Sequence, residues 1–386
     1  MNKRKIWLIV LAIIIIAVIF IGIYLTQKPS QKEQVIKIGA ILPLTGNLSI
    51  IGVPEKQGIE MGVEKVNQDF KKIGVPLRLE VIFEDTQGDP KNAVSAAQKL
   101  LLQGVRIIII STTGASRAII PVAISFNVPV ITLCMDPTIQ QESPLVFRLY
   151  ESMGQEAEVI LSYFENKKNR QSVRVGVLYV NHAGAVQQLN DFFKPGFKSL
   201  GIDLVFEEPY QIGQKDFKDI AIKAKASRLT HLVVIGYGFE YPAIFRDFKN
   251  IGFKGQILGG WGFIAVETLS PEDREGVIVA APAYLLGVSE MAKNFEEAFS
   301  LKYKNSPNFD AAFAYNAVLM LAQAVRQAYP DVRGETIAKM LSQLRTFNSI
   351  FGEINMTEDG DLSVPMTLAV WSKGRLVRYL PLTGGN

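Results

Sequence analysis

Short apolar segments of strand length alternate with amphipathic segments of helix length along this chain, and the whole alternation runs twice. Residues 35–41 read as a buried strand, and residues 54–70 as a helix with Ile59, Val63 and Val66 at helical spacing. Residues 77–84 alternate as a strand does. Asp89-Pro90 supplies an N-cap followed by proline at the first helical position, opening a helix over 90–102. A strand over 105–110, a helix over 116–126 and a strand over 128–133 follow. At Val173 the programme restarts: Val173-Arg174-Val175-Gly176-Val177-Leu178 echoes Val35-Ile36-Lys37-Ile38-Gly39-Ala40. Residues 204–210, 231–235 and 256–259 then repeat the second, third and fourth strands. Strands that alternate with helices need crossover connections, and these give parallel, doubly wound sheets. The expected class is therefore α/β, with two Rossmann-like lobes and a cleft between them, and such clefts are favoured ligand sites. After Ala281 the order changes. Helices are expected over 291–304, 311–329 and 334–344, then a hairpin over 366–371 and 376–380, with turn signals at Asp359-Gly360 and Lys373-Gly374.

One loop stands out chemically: Ser111-Thr112-Thr113-Gly114-Ala115-Ser116, between the third strand and the helix expected from Ser116. The N–H groups at a helix start lack intrahelical acceptors and favour an anion or a polar ligand head. Ligands of open parallel sheets bind off the carboxyl ends of strands, where this loop lies. The plainer reading is that Thr112 and Ser116 only cap the helix.

The N-terminus carries a separate message. Residues 6–25, IWLIVLAIIIIAVIFIGIYL, hold no charge, and as a helix they would span roughly 30 Å, the thickness of a bilayer core. They are longer than the apolar core of a cleavable signal peptide, and no small-residue cleavage site follows them. Residues 1–25 thus read as a signal anchor, with a cleaved signal peptide as the alternative, and 26–34 as a polar linker. Lys3, Arg4 and Lys5 would stay in the cytoplasm and place the rest of the chain outside it. Those three residues supply most of the formal net charge of +4, so nothing points to nucleic acid. Cys134 is the only cysteine, which rules out an internal disulfide and a thiolate zinc cluster. The two histidines, His182 and His231, read as surface or strand-end residues, and no metal site is expected.

The chain resembles the type I periplasmic binding proteins, specifically the Leu/Ile/Val-binding group that serves ABC importers. The resemblance rests on Ile38-Gly39-Ala40-Ile41-Leu42-Pro43-Leu44-Thr45-Gly46, Phe83-Glu84-Asp85-Thr86-Gln87-Gly88-Asp89-Pro90, Thr113-Gly114, Val146-Phe147-Arg148 and Asp216-Phe217. It implies a hinge of three chain crossings, near 150–154, 281–286 and 361–365. Lobe one would be 35–150 plus 284–355, and lobe two 152–282 plus 363–386. It also implies that Thr113, beside Thr112, holds a ligand carboxylate and that Cys134, Met135 and Asp136 contribute from the loop after the fourth strand. Tyr237 would close over the ligand, Ile51 would form a pocket wall, and Tyr150 would lie at the first crossing. Three positions depart from the family. Trp261 stands where an acidic residue pairs with the ligand's amino group, Asp136 where a threonine is usual, and Ala183 where a tyrosine precedes glycine. Either Asp136 takes the ammonium, or the ligand is not an α-amino acid. Trp261 would add an aromatic face for stacking or cation–π contact.

The resemblance implies a solute-binding protein outside the cytoplasm, with a small-molecule ligand and an ABC permease as partner, and the apolar run over 6–25 would be its membrane tether. The alternative is an anchored ligand-sensing receptor of the same fold. An enzyme is not expected. The cluster Gly236-Tyr237-Gly238-Phe239-Glu240-Tyr241 breaks the dinucleotide fingerprint at its last glycine, and no phosphate-loop or serine-hydrolase motif occurs, so no cofactor is foreseen.

Overall fold

The computed structural model describes residues 33–165, 172–264, 268–286 and 289–380, together with residues 7 and 15. The expected anchor over 6–25 lies otherwise outside the described residues. Among the described residues no helix is long and apolar enough to cross a membrane.

The first half forms β1 (Gln34–Leu42), α1 (Ser49–Lys72), β2 (Leu77–Asp85), α2 (Pro90–Leu102), β3 (Ile107–Ser111), α3 (Thr113–Ser125), β4 (Val130–Leu133) and β5 (Val146–Arg148). These strands make one fully parallel sheet of order β2-β1-β3-β4-β5. Both faces are covered, so its central strands are continuous apolar runs such as Ile107-Ile108-Ile109-Ile110, all with no exposure. The second half forms α4 (Met153–Glu165), β6 (Val175–Val180), a helical run over 183–199, β7 (Leu204–Tyr210), α5 (Lys218–Ala226), β8 (His231–Ile235), α6 (Tyr241–Asn250), β9 (Gln256–Gly259) and β10 (Ile278–Pro282). The helical run holds a π-helical segment, Gln188–Phe193.

The chain then returns to the first sheet with α7 (Glu290–Tyr303), α8 (Phe309–Ala328) and α9 (Gly334–Gln343). Helix α8 lies along α1 so closely that a Cβ on Gly58 would sit 2.2 Å from the Ala311 carbonyl oxygen. Strands β11 (Thr346–Ser349), β12 (Gly352–Met356) and β13 (Leu362–Ser363) form a small antiparallel sheet that the periodicity did not reveal. The closing hairpin, β14 (Met366–Ser372) and β15 (Arg375–Arg378), joins the second sheet, whose order is β15-β14-β10-β9-β8-β6-β7. That sheet is mixed rather than wholly parallel, because β14 runs antiparallel to β10 and β15 antiparallel to β14.

Two local expectations need correction. Helix α1 starts at Ser49, a turn before Pro54, so the proline sits inside it and only one carbonyl loses its N–H partner. Helix α3 starts at Thr113 rather than Ser116, which shrinks the loop after β3 to Thr112 alone.

Arg148, fully buried at the end of β5, links the chain just after β5 to the segment before β13. Its guanidinium donates to the carbonyls of Tyr150 and Glu151, both at 2.7 Å, and pairs with the Asp361 carboxylate.

Candidate ligand-binding cleft

In each sheet the strand order reverses beside its first strand, between β1 and β3 and between β6 and β8. Loops diverge at such switch points, which leaves a crevice off the carboxyl ends. The two crevices face each other across one cleft of about 810 Å³, mouth included. That volume lies within the usual range for small-molecule sites.

Most of the predicted site residues meet there. Ile51, Thr112, Thr113, Cys134, Met135 and Tyr150 line the cleft from the first half, and Tyr237 and Trp261 from the second. Ile51 does so from the first turn of α1, not from a loop. Thr112 carries the turn from β3 into α3 alone, with φ at +69°, a strained conformation for a β-branched residue. Its side chain makes no capping bond, and the first backbone N–H to find a helical acceptor is that of Ser116, on the Thr112 carbonyl. The capping reading of this loop is therefore not realised at Thr112. The N–H groups of Thr113, Gly114 and Ala115 are left without an intrahelical acceptor, and of these residues Thr113 lines the cleft.

Two predicted residues do not line the cleft. Ala183 is exposed, while its neighbours His182, Gly184 and Ala185 line it. Asp136 is fully buried, and its carboxylate is already engaged. Arg117 donates to Asp136 Oδ2 at 2.6 and 3.1 Å, and the Thr138 N–H donates to Oδ1 at 3.0 Å. Burial opposes ionisation, but the Thr138 and Arg117 hydrogen bonds prevail and hold its carboxyl below the usual range. The expectation that Asp136 takes over a ligand ammonium is corrected, because its counter-charge is Arg117.

The sequence reading missed Glu156, at the start of α4. It lines the cleft and is buried, with Oε2 accepting the Trp261 backbone N–H at 2.7 Å and Oε1 accepting the Gln188 amide at 2.8 Å. Burial pushes its carboxyl up, partly offset by those two bonds. The signal was the glycine pair before Trp261, since a Cβ on Gly260 would lie 1.9 Å from the Glu156 carboxyl group. His182 also lines the cleft, within 3.1 Å of the Tyr237 hydroxyl, and burial lowers its pKa, which favours the neutral ring.

Trp261 crosses the cleft. It follows β9 yet packs in the core of the first sheet, and its indole Nε1 donates to the Tyr150 hydroxyl at 2.9 Å. That hydroxyl donates on to Asp310 Oδ1 on α8, at 2.5 Å. Tyr237 packs against both cores and meets Trp261 edge to face at 6.0 Å. Among the described residues no cluster of histidine, cysteine or acidic side chains is able to hold a metal ion.

The comparisons agree with this geometry. A family model for periplasmic binding proteins matches residues 35–375. A Leu/Ile/Val-binding protein homologue of Brucella melitensis is 29% identical over 89% of this chain and 93% of its own length. The branched-chain amino acid transporter substrate-binding protein LivJ of Streptococcus pneumoniae, solved with isoleucine, superposes with a TM-score of 0.77 at 22% identity. It is covered over 98% of its length, and this chain over 89%. A solute-binding protein of an ABC transporter from Rhodopseudomonas palustris, solved with 3,4-dihydroxybenzoic acid, gives a TM-score of 0.76 at 20% identity over 89% of this chain and 96% of its own. The fold is the one the sequence resemblance implied, a ligand-binding rather than an enzymatic one. With the match spanning nearly the whole described chain, this protein belongs to the periplasmic binding protein family.

Proposed function

We propose that the protein is the solute-binding component of an ABC importer. It captures an amino acid, or a related small organic acid or amide, between two lobes that close by hinge motion. In this reading lobe one is 35–150 plus 284–355, lobe two is 152–282 plus 363–386, and residues 6–25 tether the protein to the outer face of the cytoplasmic membrane. The single observation that carries the reading is the shared cleft at two facing switch points, with the first turn of α3 beside it. Thr112, Thr113 and the first turn of α3, whose N–H groups lack intrahelical acceptors, suit a carboxylate. Ile51, Met135, Met153 and Val180 suit an apolar side chain. The Leu/Ile/Val-binding relative and the structures solved with isoleucine and with a hydroxybenzoate support a small carboxylate-bearing ligand.

A thermal-shift screen against amino acids, aromatic carboxylates, amides and nucleotides tests it. A ligand that binds only the folded state, at 100 times its dissociation constant, adds about 2.7 kcal/mol of stability. Stabilisation by small carboxylates or amides is the expected result. Stabilisation by nucleotides alone, or by none of these compounds, overturns the reading.

A further inference from the structure

We infer that Glu156 is the carboxylate that selects a ligand ammonium group, so that the cleft is built for an α-amino acid despite Trp261. The inference rests on the proposed function and narrows its ligand class.

Among the described residues that line the cleft, Glu156 is the only acidic side chain, and burial favours the neutral ring of His182, the only basic one. Both its partners, the Trp261 N–H and the Gln188 amide, are neutral donors. No cation contributes to its ionisation among the described residues. A carboxylate has room for about four hydrogen bonds, so two acceptor sites remain. Burial penalises the charged form of this carboxyl, and a ligand ammonium would offset that penalty. Gly260 is the complementary adaptation, because any side chain there would occupy the space of the Glu156 carboxyl group. Trp261 is tied to Glu156 through its backbone and to Tyr150 through its indole, so it positions the carboxylate rather than replacing it. Asp136, the other acidic candidate, is neutralised by Arg117 outside the cleft. The two charged ends of a zwitterion would then face opposite sheets: the carboxylate at α3 of the first, the ammonium at Glu156 beside the second. Only a ligand with both ends would draw the two together.

Calorimetric titration of the full protein with L-leucine and with 4-methylpentanoate, the same molecule without its amine, tests this. Wild type is expected to prefer leucine by at least about 30-fold. Glu156→Gln is expected to reduce that preference to a few-fold while leaving 4-methylpentanoate affinity nearly unchanged. Should the glutamine variant not fold, Glu156→Asp keeps the charge but shortens its reach, and is expected to weaken leucine at least about 10-fold. Tighter binding of 4-methylpentanoate by wild type, or a full leucine preference in the folded variant, overturns the inference and leaves the proposed function standing. Failure of leucine, 4-methylpentanoate and every other small carboxylate or amide to bind takes down both.

Discussion

At the scale of single residues, Thr112 and Thr113 do different work although they are adjacent. Thr112 bears the strained φ of +69° that lets β3 turn into α3 without an intervening loop. Glycine adopts positive φ at no steric cost, but it also gains freedom in the unfolded chain. Thr112→Gly is therefore expected to raise stability by no more than about 1 kcal/mol in urea unfolding, while lowering ligand affinity through the lost hydroxyl. Thr113 sits in ordinary helical geometry, so Thr113→Val should leave unfolding nearly unchanged. If its hydroxyl meets the ligand carboxylate, valine weakens binding by about 1–3 kcal/mol, the cost of a buried acceptor left unpaired. Unchanged affinity in Thr113→Val would remove the carboxylate from α3.

At the scale of elements, the helix caps allow a controlled comparison. Asp89 caps α2 by accepting the Lys91 N–H at 2.7 Å, and Asn308 caps α8 by accepting the Ala311 N–H at 3.0 Å. A lost cap costs about 1 kcal/mol. Asn308 also donates to the buried Asp310 at 3.1 Å. Asn308→Ala is thus expected to destabilise more than Asp89→Ala, and equal losses in urea titration would show that the Asp310 contact contributes nothing. The Asp89 cap was legible in the sequence because the signal is local: an acceptor, a proline and a helical apolar pattern. The strands β7, β8 and β9 were legible to the residue for the same reason. The start of α3 was not, because Thr113-Gly114-Ala115 carries no apolar period. The antiparallel β11–β13 sheet was hidden because its strands have two to five residues, too few for a period. Among site residues, those in loops after strands could be placed by strand order. Glu156 and Gln188 could not, since they reach the cleft from helices whose other faces look ordinary, and Asp136 looked free because its partner Arg117 is 19 residues away.

At the scale of the whole molecule, the two sheets are linked through a buried chain of polar groups that ends in acids. Trp261 donates to Tyr150 and Tyr150 to Asp310, which in turn acts electrostatically on Glu55. Burial pushes the Asp310 carboxyl up to about 7, against the pull of its Tyr150, Trp261 and Asn308 bonds. Burial likewise raises Glu55, with Asp310 adding to it, and Glu151. An acid whose folded pKa exceeds its unfolded value binds more protons when folded, so folding stability falls as pH rises between the two values. For Asp310 the contribution is complete below the unfolded value near 3.8 and is lost as pH passes about 7. The acids Asp85, Asp247 and Asp359 run the other way, with folded values lowered, so they withdraw stability only in stronger acid. Stability is therefore expected to peak in mild acid and to decline from about pH 5 to pH 8. Asp310→Asn keeps a carbonyl to accept from Tyr150 but has no proton to lose, and should flatten that decline. Thermal denaturation of both proteins across this range measures it. A wild-type profile that is flat or rises with pH, or an asparagine variant that declines as steeply, would show that the Asp310 carboxyl carries no excess proton in the folded protein.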